Sequence, residues 1–234
     1  MADRPYTLLS CGISLDGYLD SPATIRLRLS NEADLDRVDA VRASSDAILV
    51  GAATIRNDNP RLLVRSPERR HDRVARGLPP SPAKVTVTAS GRLDVSGDFF
   101  TAGDADKIVY CPRRVADTVR ASLDNHATVI DLATPLSMRE LSEDLCARGV
   151  NRLMVEGGGT LHTQFLTDDL ADELQLVIAP LFVGDSRARR FALDGCYPWN
   201  SERRAELADV QRIGDVVLLR YALSSRYGTE RQDP

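Results

Sequence analysis

The sequence has no hydrophobic run near the roughly 18–20 residues that a membrane-spanning helix requires, so no membrane partner is expected. Its first residues lack the basic and apolar regions of a signal peptide, which favours a cytoplasmic location. Lysine and arginine number 30 against 34 acidic residues, and the net charge of −4 gives no positive footprint for nucleic acid. These absences favour an ordinary soluble protein without a nucleic-acid partner.

Cysteine and histidine are also scarce. The four cysteines have no C-x-x-C spacing, and the three histidines are equally dispersed. A zinc site is therefore not expected, and the pattern does not suggest a disulfide framework. The 234 residues are 43% hydrophobic, which is enough to bury a core in one large domain or two small ones.

Short apolar runs alternate with segments of helical periodicity along most of the chain. The runs predict strands over residues 6–14, 46–51, 84–88, 107–111, 128–131, 152–156 and 173–179. Helices are predicted after Asn31, over residues 113–123, after Ser137 and from the glycines at 157–159 to about Thr167. Residues 210–223 are predicted to form a hairpin that turns at Gly214-Asp215.

This alternation predicts an α/β fold with a mostly parallel central sheet, helices on both faces and an antiparallel hairpin at one edge. We expect one domain over residues 1–223 and a flexible tail over residues 224–234. Residues 66–82 are charged and rich in proline, so we expect a mobile surface loop with solvated arginines. The basic segment 184–190 is expected to be solvated in the same way.

The most informative stretch covers residues 152–163. An apolar run ends at Glu156, three glycines follow, and residues with helical spacing come next. The order strand, tight turn, helix places free backbone N–H groups and the positive end of a helix dipole beside the glycines, which suits a phosphate. The alternative is a connection that needs glycine only for positive φ. Glu156 would lie at the carboxyl end of its strand, where α/β folds place ligands.

Other polar residues occupy similar positions. Asp16 follows the first strand and is either a turn residue or a substrate ligand. Gly51 and Thr54 suit a strand-to-helix turn that faces a ligand, and the Asp58-Asn59-Pro60 sequence should stop the helix that begins there. Arg42 borders an apolar stripe and is either functional or an arginine extending from the helix edge.

Four motifs then occur in order: Ser14-Leu15-Asp16-Gly17, Ala47-Ile48-Leu49-Val50-Gly51-x-x-Thr54, Asp58-Asn59-Pro60-x-Leu62-x-x-Arg65 and Val155-Glu156-Gly157-Gly158-x-Thr160-Leu161. With Ala179-Pro180-Leu181 and the loop at Gly184, they closely resemble the reductase domain of the bifunctional riboflavin-biosynthesis deaminase/reductase. The resemblance covers about residues 6–223. It implies a dihydrofolate-reductase-like three-layer fold, a homodimer and an NADPH-dependent oxidoreductase acting on a phosphorylated pyrimidine.

The resemblance also implies roles for single positions. The turn from Gly158 to Gln164 would hold the cofactor pyrophosphate, and the positions matching Arg42, Leu62, Arg65 and Glu156 would contact substrate. The two arginines suit its 5-phosphate through bidentate hydrogen bonds. Ser90 and Arg92 are assigned to the 2′-phosphate of NADPH because a hydroxyl and a guanidinium follow a strand there. The cofactor-binding set is Ile13, Gly51, Thr54, Asp58, Ser90, Arg92, Gly157, Gly158, Gly159, Thr160 and Leu161.

The implied reaction reduces a ribosylamino side chain to ribitylamino by hydride addition to a ring-opened imine. A carboxylate beside the positive charge of the protonated imine would help, and Glu156 is the first catalytic candidate, with Asp16 second. No metal is needed.

Two departures from the family pattern bear on the activity and on substrate identity, in that order. The sequence lacks the H-x-E and P-C-x-x-C motifs of the zinc deaminase, so only the reductive half is expected. Many relatives carry a lysine where this chain has Ser10. The alternatives left open are a same-fold NADPH reductase of a pterin or a specialised-metabolism substrate, and a non-catalytic NADPH-binding protein.

Overall fold

A computed structural model describes residues 4–22, 27–124 and 126–228. The strands within this part of the chain are β1 (Tyr6–Ser14), β2 (Ala47–Gly51), β3 (Ala83–Val87), β4 (Lys107–Pro112), β5 (Thr128–Leu132), β6 (Arg152–Gly157), β7 (Glu173–Ala179), β8 (Glu206–Ile213) and β9 (Val216–Ala222). The helices are α1 (Glu32–Ala43), α2 (Ala52–Asp58), α3 (Pro67–Ala75), α4 (Asp98–Thr101), α5 (Arg113–Leu123), α6 (Met138–Ala147) and α7 (Gly159–Thr167). No helix among these residues combines the length and the apolar character needed to cross a membrane.

The chain divides into two compact units, and the first comprises Met1–Pro5 and Val38–Met154. Its strands β2, β3, β4 and β5 are paired in parallel in that order. Gly51 is the register partner of Val87, so β2 and β3 end side by side. The loops that follow these two strands therefore leave from the same edge.

The second unit comprises Tyr6–Arg37 and Val155–Pro234. In it β1 pairs in parallel with β7, and Ser14 is the register partner of Ala179. Strand β9 pairs antiparallel with both β7 and β8, and Gly214 adopts a φ of 64° at the hairpin turn. A glycine tolerates this left-handed conformation because it has no Cβ.

The predicted α/β class, its mostly parallel strands and its antiparallel C-terminal hairpin are confirmed. The hairpin begins earlier than expected, at Glu206. Of the expected tail, residues 229–234 lie outside the described part, while the Ser224 hydroxyl donates a hydrogen bond to Asp172. The expectation of a single domain stays a prediction.

Predicted helix ends are also confirmed by their caps. The side chain of Asn31 accepts a hydrogen bond from the backbone N–H of Asp34 at 2.9 Å, and Ser137 accepts one from Glu140 at 3.2 Å. Each bond satisfies an N–H group that has no partner inside its helix. Gly149, with a φ of 88°, follows the end of α6 as predicted.

The expectation of a mobile loop over residues 66–82 is wrong. Ser66 caps α3 by accepting the Arg69 N–H, and Pro67 occupies the first helical position, where its missing donor costs nothing. Arg73 is buried rather than solvated, because its guanidinium donates hydrogen bonds to the carbonyl oxygens of Ala43, Ser45 and Pro79. Pro67 therefore begins a helix here, and the charged side chain of Arg73 anchors it.

Candidate functional site

The turn after β6 has the predicted form of strand, glycine turn and helix. The Gly157–Gly158 peptide bond is cis, and Gly157 has a φ of 120°. The first hydrogen bond of α7 runs from the His162 N–H to the Gly158 carbonyl at 3.1 Å, and no side chain caps the helix. Because the three N–H groups before His162 have no acceptor within the helix, they form a donor set that suits an anion.

Gly159 is required by close packing. A Cβ added there would overlap the backbone carbonyl oxygen of Arg190, which cannot move without moving the chain. The segment 183–191 therefore passes directly beside the start of α7. Glycine is favoured at position 157 because the backbone φ is positive there. It is required at position 159 because the Arg190 carbonyl leaves no room for a Cβ.

Asp16 joins the turn after β1 to the same segment. Its carboxylate accepts hydrogen bonds from the Ser14 hydroxyl and from the backbone N–H groups of Val183 and Gly184, at 3.0 and 2.7 Å. The Ser14 hydroxyl chiefly, with help from these N–H groups, lowers the pKa of Asp16 to about 2. The carboxylate is thus ionised at neutral pH. These bonds account for Asp16 through turn chemistry, one of its two interpretations.

The arginines of this segment are exposed, as expected, and Arg189 and Arg190 also make side-chain contacts. The Arg190 guanidinium donates a hydrogen bond to the Tyr18 hydroxyl at 3.0 Å and lies 4.7 Å from the centre of its ring. Arg189 forms an ion pair with Asp20. These contacts hold the segment against the turn that contains Asp16.

In the first unit, the predicted cofactor residues occupy two neighbouring loops. Gly51 ends β2, and Thr54 lies in the first turn of α2. Ser90 and Arg92 follow β3, and both are exposed. The Arg56 guanidinium in α2 donates a hydrogen bond to the Arg92 carbonyl at 2.9 Å, which links the two loops.

The predicted stop of α2 is confirmed. Asp58 is its last residue, and Asn59 adopts a left-handed conformation with a φ of 42°. The Asn59 side chain accepts the Asp98 N–H at 2.6 Å, which fixes the start of the segment that carries Leu62 and Arg65. Leu62 has a φ of 49° and is buried.

Helix α1 holds this segment through two side chains. The Arg42 guanidinium contacts the Leu63 carbonyl at 3.4 Å, and the Asp39 carboxylate accepts the Arg65 N–H. The structure therefore brings Arg42, Leu62 and Arg65 to the same part of the first unit. Glu156 belongs to the second unit and lies at the carboxyl end of β6, as expected.

Sequence reasoning missed Asp39, although its position three residues before Arg42 places both on one face of α1. Asp39 is only 1% exposed. Burial would raise the pKa of its carboxyl, but the N–H groups of Arg65 and Ser66 and the Arg69 guanidinium lower it overall. Asp39 is therefore a buried anion whose charge is satisfied by the arginine segment.

His162 was missed as well, although its spacing from Phe165 and Leu166 indicates the buried face of α7. The ring is fully buried and lies 5.4 Å from the Phe191 ring. Neither ring nitrogen has a hydrogen-bond partner of standard geometry in the described chain. Burial lowers the pKa of His162 to about 4, opposed weakly by the backbone of Val155, so the ring is neutral at pH 7.

Residues 5–219 match the family model of the RibD C-terminal domain. The chain belongs to this family. No group of three His, Cys, Asp or Glu side chains within the described ranges is arranged to hold a metal ion.

Two relatives match this RibD C-terminal domain over nearly their whole length. The chain is 32% identical over 226 residues to the 2,5-diamino-6-ribosylamino-4(3H)-pyrimidinone 5′-phosphate reductase of Archaeoglobus fulgidus, covering 96% of this chain and 99% of the relative. It is 33% identical over 223 residues to the reductase of the same name from Methanothermobacter thermautotrophicus, covering 94% and 99%. Both relatives carry the name of a reductase.

Solved structures agree on the fold. RibD of Acinetobacter baumannii matches with a TM-score of 0.76 at 24% identity, over 94% of this chain, which spans 58% of the length of that chain. A pyrimidine reductase-like protein of Corynebacterium diphtheriae matches with a TM-score of 0.78 at 21% identity, covering 93% and 91%. These likenesses support the RibD-type reductase fold.

His162 yields a prediction about pH. Its pKa is lower in the folded chain than the ordinary 6.5, so unfolding takes up a proton between about pH 4 and 6.5. The contribution to stability is therefore complete above pH 6.5 and falls as the pH drops, by about 2 kcal/mol at pH 5. Replacing His162 with Phe should remove this loss, measured by urea unfolding at pH 7.5 and 5.

The matched control is His71→Phe, at an exposed histidine of α3, which should keep the wild-type pH dependence. An unchanged pH dependence in His162→Phe would show that this ring does not titrate upon unfolding.

Proposed function

We propose that this chain is an NADPH-dependent reductase of riboflavin biosynthesis. Its substrate is the ribosylamino side chain of a diaminopyrimidinone or aminouracil 5′-phosphate, which it converts to ribitylamino. The observation that carries the proposal is the turn after β6, where Glu156 directly precedes the glycines and the uncapped N–H groups of α7. Two reductases of matching length and name support the substrate class.

The residues fit a dinucleotide cofactor. The glycine turn offers backbone donors and no side chain to block an approaching pyrophosphate, so residues Gly157 to Leu161 would hold that group. Gly51, Thr54, Asp58 and Ile13 are the further residues that we propose contact the cofactor. NADPH, when bound, supplies the hydride.

The preference for NADPH over NADH is assigned to Ser90 and Arg92. Both are exposed on the loop that leaves β3 beside the end of β2. The backbone of Arg92 is fixed by Arg56, which leaves its own guanidinium to bind the 2′-phosphate that distinguishes the two cofactors.

The substrate is held by Arg42 and Arg65 at its phosphate and by the backbone turn at Leu62. Glu156 places a negative charge beside the positive carbon–nitrogen group that accepts hydride, which lowers the barrier by charge stabilisation. Asp16 remains the second catalytic candidate. The protein's part in catalysis is orientation and electrostatics.

The proposal places the protein in the cytoplasm as a homodimer without a nucleic-acid partner. In the described chain β8 pairs only with β9, and it exposes Leu207 and Val210 by 51% and 55%. An exposed strand edge of this kind is a ready surface for a second copy.

The function is tested by following NADPH oxidation at 340 nm with the deaminated and non-deaminated ribosylaminopyrimidine 5′-phosphates and with dihydrofolate. Turnover of a pyrimidine phosphate, with little from dihydrofolate and little with NADH, is the expected result. Turnover of dihydrofolate alone would show that the substrate is a pterin rather than a pyrimidine phosphate. NADPH binding without turnover of any of them would indicate a non-catalytic binding protein.

Glu156 has a specific expected role. The Glu156→Gln variant keeps the shape of the side chain and removes its charge, so turnover should fall roughly 100-fold while NADPH affinity stays within about twofold. Steady-state kinetics and fluorescence titration of NADPH measure the two effects. Glu140→Gln, at an exposed position of α6, is the control. Equal losses of turnover and NADPH affinity would remove Glu156 from this role.

Sedimentation velocity tests the dimer. At micromolar protein we expect the mass of two chains, and Val210→Glu should shift it towards one chain, since a charge would be placed in the interface. Two chains with no response to Val210→Glu would move the interface away from β8, and a monomeric wild type would contradict the dimer.

A further inference from the structure

Asp39 makes more contacts than a surface helix requires of a carboxylate. One oxygen accepts the backbone N–H of Arg65 and lies 3.7 Å from the Nε of the same residue. The other accepts the Ser66 N–H at 3.1 Å and forms an ion pair with Arg69 Nη1 at 2.9 Å. One buried anion thus fixes the backbone of residues 65 and 66 and faces two guanidinium groups.

These contacts are not needed to cap α3. The hydroxyl of Ser66 already accepts the Arg69 N–H, and Pro67 has no N–H to satisfy. What Asp39 adds is the direction of the arginines. Arg70 donates to the carbonyl oxygens of Val64 and Arg65 at 3.2 Å, so the same short segment is held from its other side.

Asp39 also brings arginines together. Arg65 and Arg69 face the two oxygens of its carboxylate, and Arg42, three residues further along α1, donates a hydrogen bond to the Leu63 carbonyl. Of the two arginines paired with Asp39, Arg65 has the more exposed side chain, at 53% compared with 26% for Arg69. Guanidinium groups bind phosphate in bidentate geometry, so Arg69, which shares the Asp39 carboxylate with Arg65, suits the phosphate that the proposed function places at Arg42 and Arg65.

We propose that Asp39 is the positioning residue of the substrate-phosphate site and that Arg69 is a third guanidinium of that site. The inference rests on the proposed function, because it deepens the role given there to Arg42 and Arg65. Asp39 does not touch the substrate. It holds the backbone at Arg65 and the side chain of Arg69 in the orientation that receives the phosphate, at a site far narrower than a diffuse basic surface.

The test compares Asp39→Asn with wild type on the phosphorylated substrate and on the same substrate without its phosphate. Asparagine keeps the shape but removes the charge and opposes the Ser66 N–H with its own donors. KM for the phosphorylated substrate should rise roughly 10- to 30-fold with kcat within about twofold, while the dephosphorylated substrate should change by less than about twofold. Calorimetric titration of both compounds without nicotinamide should give the same difference in affinity.

The matched control is Asp34→Asn, which removes another carboxylate of α1 that is also 1% exposed but is bonded to Arg37. It should lower the melting temperature without a phosphate-specific loss. Arg69→Gln, which tests the site if Asp39→Asn does not fold, should repeat the pattern of Asp39→Asn. Arg76→Gln, at the exposed end of α3, should not.

The outcomes separate this inference from the function on which it rests. Wild type that does not distinguish the two substrates contradicts the phosphate site and the proposed function together. Wild type that prefers the phosphorylated substrate, with equal losses on both substrates in Asp39→Asn, overturns the positioning role alone. A normal preference in Arg69→Gln removes Arg69 from the site.

Discussion

In the second unit, the backbone carbonyl of Arg190 lies so close to residue 159 that a Cβ there would overlap it. The first position of α7 must therefore be glycine, and no side chain caps this end of the helix. The same segment, 183–191, is bonded to Asp16 and Tyr18, so the turn after β1 and the glycine turn are held by one piece of chain. A single backbone segment therefore contacts both the turn after β1 and the start of α7.

In each unit an ionised aspartate holds a loop by accepting its backbone N–H groups. Asp16 binds backbone N–H groups of the segment after β7, and Asp39 binds those of the segment before α3. In each case the hydrogen bonds stabilise the charged form, which lowers the pKa of the carboxyl. A carboxylate satisfies several donors at once, so one side chain can order a loop that has no regular secondary structure.

Apolar runs, helical periodicity and capping residues predicted most of the strands and helices, because burial on one face repeats with a fixed spacing and helix ends need partners for their N–H groups. Composition was misleading for residues 66–82, where proline and charged residues indicated a loop. In the structure Pro67 begins α3, and Arg73 anchors this helix. At the site, the glycine turn was readable because its chemistry is local. Asp39 was not, since its partners lie 26 to 30 residues away and only the folded chain brings them to it.

The hydrogen bonds of Asp16 bear on its place as the second catalytic candidate. A carboxylate stabilises a positive charge on a substrate best when fixed hydrogen-bond donors do not already neutralise it. Asp16 accepts hydrogen bonds from one hydroxyl and two backbone N–H groups. Moving Asp16 towards a substrate would break the turn that it organises. Glu156 is the penultimate residue of β6 and precedes the donors proposed for the cofactor, so under the proposed function its charge would lie next to the dinucleotide. The contacts of Asp16 therefore assign it to shaping the loop, which under the proposed function leaves the action on the substrate to Glu156.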